Sequence, residues 1–462
     1  MARSRGSFSL PLINRVGDRM AASLLKAIVP LADSPEDQTG LVPGSISHRI
    51  FGQLARLCGF DPAQVENVLH DGAGRRALWN LLKSISEYGV GTPQTMRAPL
   101  SVVWSLSYGC NLRCMHCYQN ASRPSPDELT LDQQLDIVDQ MAREGVSMIV
   151  LSGGEPLTNP NLDALIERIR RHGIAISIDS NGVLMDKGRV ESLKRAGVAS
   201  VELSLDSVDP IAHDRFRGLD GAFNKTLDAV ELCSKAGIFT TVATTCTNLN
   251  YNGRRELISL ARRHGADRVV FFDLIPAGRG RELEDLRLSR SQLLDLMALV
   301  EQESSRDGIE IFTELPQYVV YSSVGNRDSD SNNAERALSI ERLTVSTLFD
   351  CAGRHNVYRR FAPYLGGCPA GRVYCNIQPN GDVTPCMFMP EYPVAGNLKS
   401  QSFREIWNSP TFQALRDRTC LKGRCRECEF TIVCGGCRAK AAAYHGDYLA
   451  SDPTCPIQNG TA

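Results

Sequence analysis

The sequence predicts an α/β chain: an open partial (β/α)6 barrel, preceded by a helical N-terminal domain and followed by a cysteine-rich domain. Three observations carry this. Between residues 99 and 315, short apolar β-type runs alternate with amphipathic helical stretches. Residues 1–98 show helical periodicity and no metal-binding pattern. Residues 350–462 are rich in Cys, Gly and Pro and poor in long periodic runs. Such a region needs staples, which metal clusters supply. At 462 residues the chain is also too long for one ordinary core.

In the N-terminal domain, Ile13, Val16, Met20, Leu24 and Ile28 recur at helical spacing, with Arg15, Arg19 and Lys26 elsewhere on the wheel. That helix either packs on its own domain or lies against a membrane surface or a partner. Residues 50–57 and 75–88 read as two further helices, and the Gly89-Val90-Gly91-Thr92-Pro93 run breaks the pattern. The barrel strands are expected at 102–106, 148–151, 174–178, 201–205, 240–245 and 269–273. Helices at 132–143, 162–171, 224–235 and 254–263 lie between them. Strand–helix alternation implies parallel strands joined by crossover helices. Six units fall short of the eight that close a full barrel. A bridging segment, 316–349, contains the polar, low-complexity stretch 322–334, which reads as a linker.

The net charge is −1 and the pI about 6.7, so nothing draws the chain towards nucleic acid or anionic lipid in general. No apolar run approaches the ~18 residues that span a bilayer, and the N-terminus lacks a signal-peptide pattern. The expected location is cytoplasmic. Sixteen cysteines in such a chain point to metal ligation in a reducing compartment.

Three of them, Cys110, Cys114 and Cys117, form a C-x3-C-x2-C run directly after the first strand, with Tyr118 next and His116 as an internal spacer. Three thiolates can hold three irons of a cubane and leave the fourth open to an exogenous molecule, whereas a structural zinc site is closed by four. Gly153-Gly154-Glu155-Pro156 follows the second strand, at the end where parallel sheets carry functional loops. The glycines let the backbone approach a ligand, and Glu155 can accept from an ammonium group. Ser180 and Asn181, after the third strand, can bond ribose hydroxyls. Ser204 ends the fourth strand, and the Arg217 guanidinium matches a carboxylate.

A second array comprises Cys368, Cys375, Cys386, Cys425, Cys428, Cys434, Cys437 and Cys455. Eight thiolates fill two [4Fe–4S] clusters or two zinc sites. Cys58, Cys233, Cys246, Cys351 and Cys420 read as unreactive thiols.

The three-cysteine loop, the Gly-Gly-Glu-Pro turn and the His213-Asp214-Arg215-Phe216-Arg217-Gly218 segment, in that order, resemble the radical SAM superfamily. The resemblance implies that the open iron binds S-adenosylmethionine and that one electron splits it to a 5′-deoxyadenosyl radical. It implies that the Gly153–Glu155 turn holds the methionine amino group and that Tyr118 packs near adenine. It also implies a reducing donor such as flavodoxin or ferredoxin. The C-terminal array resembles a SPASM domain, which implies auxiliary [4Fe–4S] clusters rather than zinc. On that pattern Cys368, Cys375, Cys386 and Cys437 hold one cluster, and Cys425, Cys428, Cys434 and Cys455 the other. Cys434-Gly-Gly-Cys437 is one residue shorter than the usual C-x3-C, which leaves open a single auxiliary cluster or an open iron that binds substrate. The text around these cysteines, such as Gly367-Cys-Pro-Ala-Gly371, is similar to haem-biosynthetic members, including iron-coproporphyrin decarboxylases. The implied activity is hydrogen abstraction and oxidative modification of a tetrapyrrole or other small molecule, with a peptide or protein side chain, or a lipid, as alternatives.

Overall fold

The computed structural model describes residues 72–321 and 367–457, apart from positions 90, 92, 304–307 and 319. The helices expected near residues 10–30 and 50–57, the polar stretch 322–334, Cys58 and Cys351 lie outside the described residues.

The first element, α1 (Gly72–Tyr88), is the helix expected over 75–88. Its buried Arg76 donates from Nε to Val146 O at 2.8 Å and from Nη2 to Ala142 O at 2.5 Å, which ties the helix to the back of the barrel. The barrel then follows as β1 (Ser101–Ser105), α2 (Leu131–Glu144), β2 (Met148–Ser152), α3 (Leu162–Arg171), β3 (Ala175–Ser180), α4 (Lys187–Arg195), β4 (Ser200–Ser204), α5 (Pro210–Arg217), α6 (Ala222–Lys235), β5 (Phe239–Cys246), α7 (Arg254–Arg263), β6 (Arg268–Asp273), α8 (Arg290–Glu303) and β7 (Glu310–Thr313). The cysteine-rich region supplies β8 (Tyr374–Ile377), β9 (Asp382–Thr384), β10 (Gly396–Asn397), α9 (Phe403–Trp407), α10 (Pro410–Arg416), α11 (Gly423–Glu427) and α12 (Arg438–His445).

Strand alternation builds the core. Val102 and Trp104, Ile149 and Leu151, Ile176 and Ile178, and Val201 and Leu203 are buried beneath the helices. Helices answer with stripes such as Leu162, Leu165, Ile166 and Ile169 of α3. Each fully buried side chain of this size contributes roughly 1.5–3 kcal/mol. Local signals set the ends. A capping box between Thr130 and Gln133 starts α2, and Gly145, in the left-handed region, stops it.

The ten strands form one sheet in the order β10-β9-β8-β1-β2-β3-β4-β5-β6-β7. It is parallel from β8 to β7, with β9 and β10 antiparallel at one edge. Two features go beyond the expected six units. A seventh parallel strand, β7, pairs with β6 through Val269 and Ile311. At the other edge β8 pairs with β1 through Val102 and Cys375. The cysteine-rich region therefore shares the barrel's sheet and core rather than depending on staples alone. Val373, Ile377, Phe403, Trp407 and Phe412 join the same apolar cluster as Trp104. Trp407 Nε1 donates to Met96 O at 3.0 Å, and buried Lys440 of α12 pairs with buried Asp273 at the end of β6. The C-terminal ends of the strands thus carry the cysteine loop on one side and the cysteine-rich region on the other.

Candidate active site

The loop after β1 is closed at its base. Cys110 N donates to Ser122 O at 3.2 Å, and Ser122 N to Tyr108 O at 2.8 Å. Between these points Cys110, Cys114 and Cys117 all line one cavity. Donors converge on their sulfurs: Leu112 N on Cys110 Sγ at 3.4 Å, Ala121 N on Cys117 Sγ at 3.4 Å, and Arg217 Nη1 on Cys114 Sγ at 3.8 Å. Burial pushes the Cys110 thiol up to about 12, so a bound metal must displace its proton.

The turn after β2 packs directly on this loop. A Cβ at Gly154 would lie 2.0 Å from Gly109 O and 3.2 Å from Cys110 Cβ, so only glycine allows the approach. Gly153 and Gly154 line the cavity, but Glu155 does not. Its carboxylate, 1% exposed, turns inward and accepts from Leu157 N (3.1 Å), Ser180 Oγ (2.9 Å) and Asn181 N (2.9 Å). Burial raises it to about 7 against the pull of those bonds. Glu155 thus braces the β2 and β3 loops, a task different from the ammonium contact expected of its side chain.

Ser180, Asn181 and Ser204 line the cavity. Ser180 Oγ also accepts from Gly182 N at 3.0 Å, and Asn181 Nδ2 donates to Asn111 Oδ1 at 2.8 Å, linking the third-strand loop to the cysteine loop. Arg217 lines the cavity too, but its Nε already donates to Asp206 Oδ2 at 2.6 Å, with both groups buried. Burial alone would raise Asp206. Arg217, with His116 and His213, instead holds it below the usual carboxylate range. The guanidinium expected to meet a ligand carboxylate therefore has one within the protein. Tyr118 faces the cavity and meets Phe388 edge-on at 5.1 Å, and Phe388 meets Phe272 at 6.0 Å. Its ring belongs to a wall shared with the cysteine-rich region.

Several functional positions escaped the sequence reading. His116 is no mere spacer. It lines the cavity, stacks on Phe216 at 4.3 Å and 8°, and has a buried Nδ1 with no hydrogen-bond partner among the described residues. Asp179 and Glu202 sit opposite each other on β3 and β4 and face the cavity. Burial raises Asp179 to about 7 and Glu202 well above its usual value. Strand alternation was the signal: with Ile176 and Ile178 outward, Asp179 must point inward. Met387 and Phe388 bring the cysteine-rich region into the same cavity.

The radical SAM superfamily model matches residues 104–263, and the SPASM iron–sulfur cluster-binding domain model matches residues 368–429. An AdoMet-dependent heme synthase of Methanosarcina barkeri is 33% identical over 365 residues, covering 79% of this chain and 98% of that protein. The chain belongs to the radical SAM superfamily, in its SPASM branch. A PqqA peptide cyclase of Gluconobacter oxydans is 28% identical over 365 residues, covering 78% of this chain and 91% of that one. The crystal structure of Streptococcus suis SuiB bound to S-adenosylmethionine has the same fold. Its TM-score is 0.62 at 17% identity, covering 94% of this chain and 92% of that one.

As a radical SAM/SPASM enzyme the protein uses a [4Fe–4S] cluster with S-adenosylmethionine, and auxiliary iron–sulfur clusters in its C-terminal region. Among the described residues no three His, Cys, Asp or Glu side chains gather closely enough for a single metal ion. The fit rests instead on the donors: thiols with N–H groups and a guanidinium aimed at sulfur suit iron–sulfur ligation. In the C-terminal region, charge interactions link Cys368 with Cys386 and Cys437, and Cys434 with Cys425 and Cys455. Cys428 lies between Cys425 and Cys434, partly exposed. Cys375 is not brought to its expected set. It lies in β8 opposite Val102, in the apolar core with Trp407 and Phe412, and its charge neighbour among the described residues is Arg416. Alternation explains this, because it is Tyr374 whose hydroxyl reaches Cys386 and accepts from Met387 N. Cys233 and Cys246 are buried thiols, as expected, and Cys420 is partly exposed.

Proposed function

We propose that this radical SAM/SPASM enzyme oxidatively modifies a propionate-bearing tetrapyrrole. The observation that carries the reading is the wall of Tyr118, Phe272 and Phe388, which lines the same cavity as the three cysteines. A large flat ring system packs on such a wall through offset and edge contacts. Likeness to a heme synthase across nearly the whole of that protein supports the same substrate class.

In this reading Cys110, Cys114 and Cys117 hold the first cluster. Cys368, Cys386 and Cys437 contribute to one auxiliary cluster, and Cys425, Cys428, Cys434 and Cys455 to the other. When bound, the cluster and S-adenosylmethionine supply a 5′-deoxyadenosyl radical for hydrogen abstraction. The Gly153–Gly154 backbone meets the methionine end, and Ser180, Asn181, Ser204 and the His116 ring line the nucleoside end. Arg217 keeps its charge beside Cys114 Sγ, with Asp206 fixing its direction. Tyr118 and Phe388 orient the substrate and exclude water. The enzyme works in the cytoplasm with a flavodoxin- or ferredoxin-type reductant; no helix of the described residues is long and apolar enough to cross a membrane.

The test is anaerobic reconstitution followed by dithionite-driven 5′-deoxyadenosine formation with and without an iron coproporphyrin. The expected result is stimulation by the tetrapyrrole and loss of carbon dioxide from its propionates, read by mass spectrometry. Absence of both overturns the substrate. A second reading, a peptide side chain, draws on the similarity to a peptide cyclase and on the Asp179–Glu202 pair, which suits a basic or hydroxyl group. Stimulation by a peptide instead would favour it.

A further inference from the structure

We propose that Arg418 and Arg438 are built-in charge partners of the two auxiliary cysteine sets, and that the shortened Gly435–Gly436 turn admits their guanidiniums. The proposal rests on the reading of both sets as iron–sulfur ligands.

Arg418 follows α10 and is 5% exposed. Its Nε and Nη2 are buried and have no hydrogen-bond partner among the described residues. Its charge neighbours are Cys368 of one set, Cys434 and Cys425 of the other, and the like-charged Arg438. Arg438 is fully buried at the start of α12. Its Nη2 donates to Cys425 Sγ at 3.5 Å, and its remaining donors go to carbonyl oxygens of Gly436, Tyr448 and Ala450. Among the described residues no carboxylate hydrogen-bonds either guanidinium; the one acting on Arg438 from a distance, Asp447, is itself paired with Lys422 at 2.6 Å. A buried cation without a counter-charge costs several kcal/mol. Neutral thiols cannot offset that cost, whereas thiolates on a cluster with net negative charge can.

The turn shows the same design. Gly435 and Gly436 have φ of +70° and +65°. A Cβ at Gly435 would lie 2.2 Å from Arg418 Nη1. One at Gly436 would lie 2.8 Å from both Cys425 Sγ and Arg438 Nη2. A side chain at Gly435 would displace the Arg418 guanidinium, and one at Gly436 would press between Arg438 and Cys425 Sγ. The missing residue in the Cys434–Cys437 spacing therefore makes room for two cations.

Reduction of each auxiliary cluster adds one electron to an already anionic centre, so a neighbouring cation stabilises the reduced form and raises the potential. Arg418, lying between the sets, acts on both. Arg438, on Cys425, acts mainly on one.

The test uses the full chain with Cys110, Cys114 and Cys117 replaced by alanine, reconstituted anaerobically. Iron and sulfide are counted, and dithionite titration is followed by EPR. R418Q should keep its iron and lower both auxiliary midpoints, by at least a tenfold change in the reduced-to-oxidised ratio at fixed potential, about 59 mV for one electron. R438Q should move the Cys425 set more than the other, and G435A should reproduce the R418Q shift by displacing the guanidinium. Full iron with unmoved midpoints in R418Q overturns the proposal, as does movement of one set alone. If R418Q takes up no iron, R418K decides. Assembly with near-parental midpoints supports the charge role, and a folded R418K that takes up no iron overturns it. A parental protein without auxiliary iron refutes the iron–sulfur reading itself, an outcome visible in the iron count before any midpoint is measured.

Discussion

The loop that carries Cys110, Cys114 and Cys117 hangs from the end of one strand and faces a cavity, whereas the C-terminal cysteines come from well-separated stretches and are packed beside buried arginines. In the first region, backbone bonds at the loop base and the close passage of Gly154 hold three sulfurs towards open space. In the second, long-range packing brings separate cysteine stretches together, with Arg438 on Cys425 Sγ and Arg418 near Cys368 and Cys434. The first arrangement leaves room for an exchangeable ligand. The second is built for permanent centres whose charge the protein compensates.

The largest expected effect breaks this contrast at its open end. Cys114→Ala should abolish dithionite-driven 5′-deoxyadenosine formation while the auxiliary iron stays bound, measured by chromatography and iron count. Loss of all iron would show that the two regions are not independent. Next, in the cluster-free protein Asp206→Asn should leave Arg217 as an uncompensated buried charge and cost about 3–5 kcal/mol in urea unfolding. Pairing it with Arg217→Leu should recover part of that loss.

Asp179 sharpens the comparison through pH. Its carboxyl sits at about 7 in the fold, raised by burial, against an ordinary value of 3.8. Between those values the unfolded chain is ionised while the folded group holds its proton, so this group makes stability fall as pH rises from about 4 to about 7. Asp179→Asn should therefore raise stability by up to about 4 kcal/mol at pH 8 and leave it unchanged near pH 4, read by thermal unfolding at both. A variant less stable than the parent at pH 8 would count against a protonated pair. The smallest effect is expected at Cys375. Cys375→Ala should keep full iron and lose about 1 kcal/mol of core packing, whereas Cys386→Ala should lose one cluster's iron. Equal iron loss in both would return Cys375 to the ligand set.

The six barrel strands were legible because apolar runs between turn signals are a local pattern, and they became β1–β6. β7 and β8 were not, being four residues each, and β8 read as a cysteine segment. Gly153 and Gly154, singled out by their motif, line the cavity, with Gly154 hard against the cysteine loop. Glu155 was found but assigned outward, because a motif shows residue type and spacing and not which way a carboxylate turns. His116 gave no signal, since its role comes from the stack on Phe216, a hundred residues away.

The sequence by itself determined the chemistry of this protein: the thiol spacing of the open site, the glycine turn beside it, and the parallel α/β architecture. These rest on contacts between neighbours in the chain. The tertiary structure alone decided that Cys375 lies in the core while Tyr374 meets Cys386, that Arg217 has its own carboxylate, and that β8 extends the barrel sheet. Each depends on which face of an element is buried against a partner distant in sequence, and burial is a property of the packed whole.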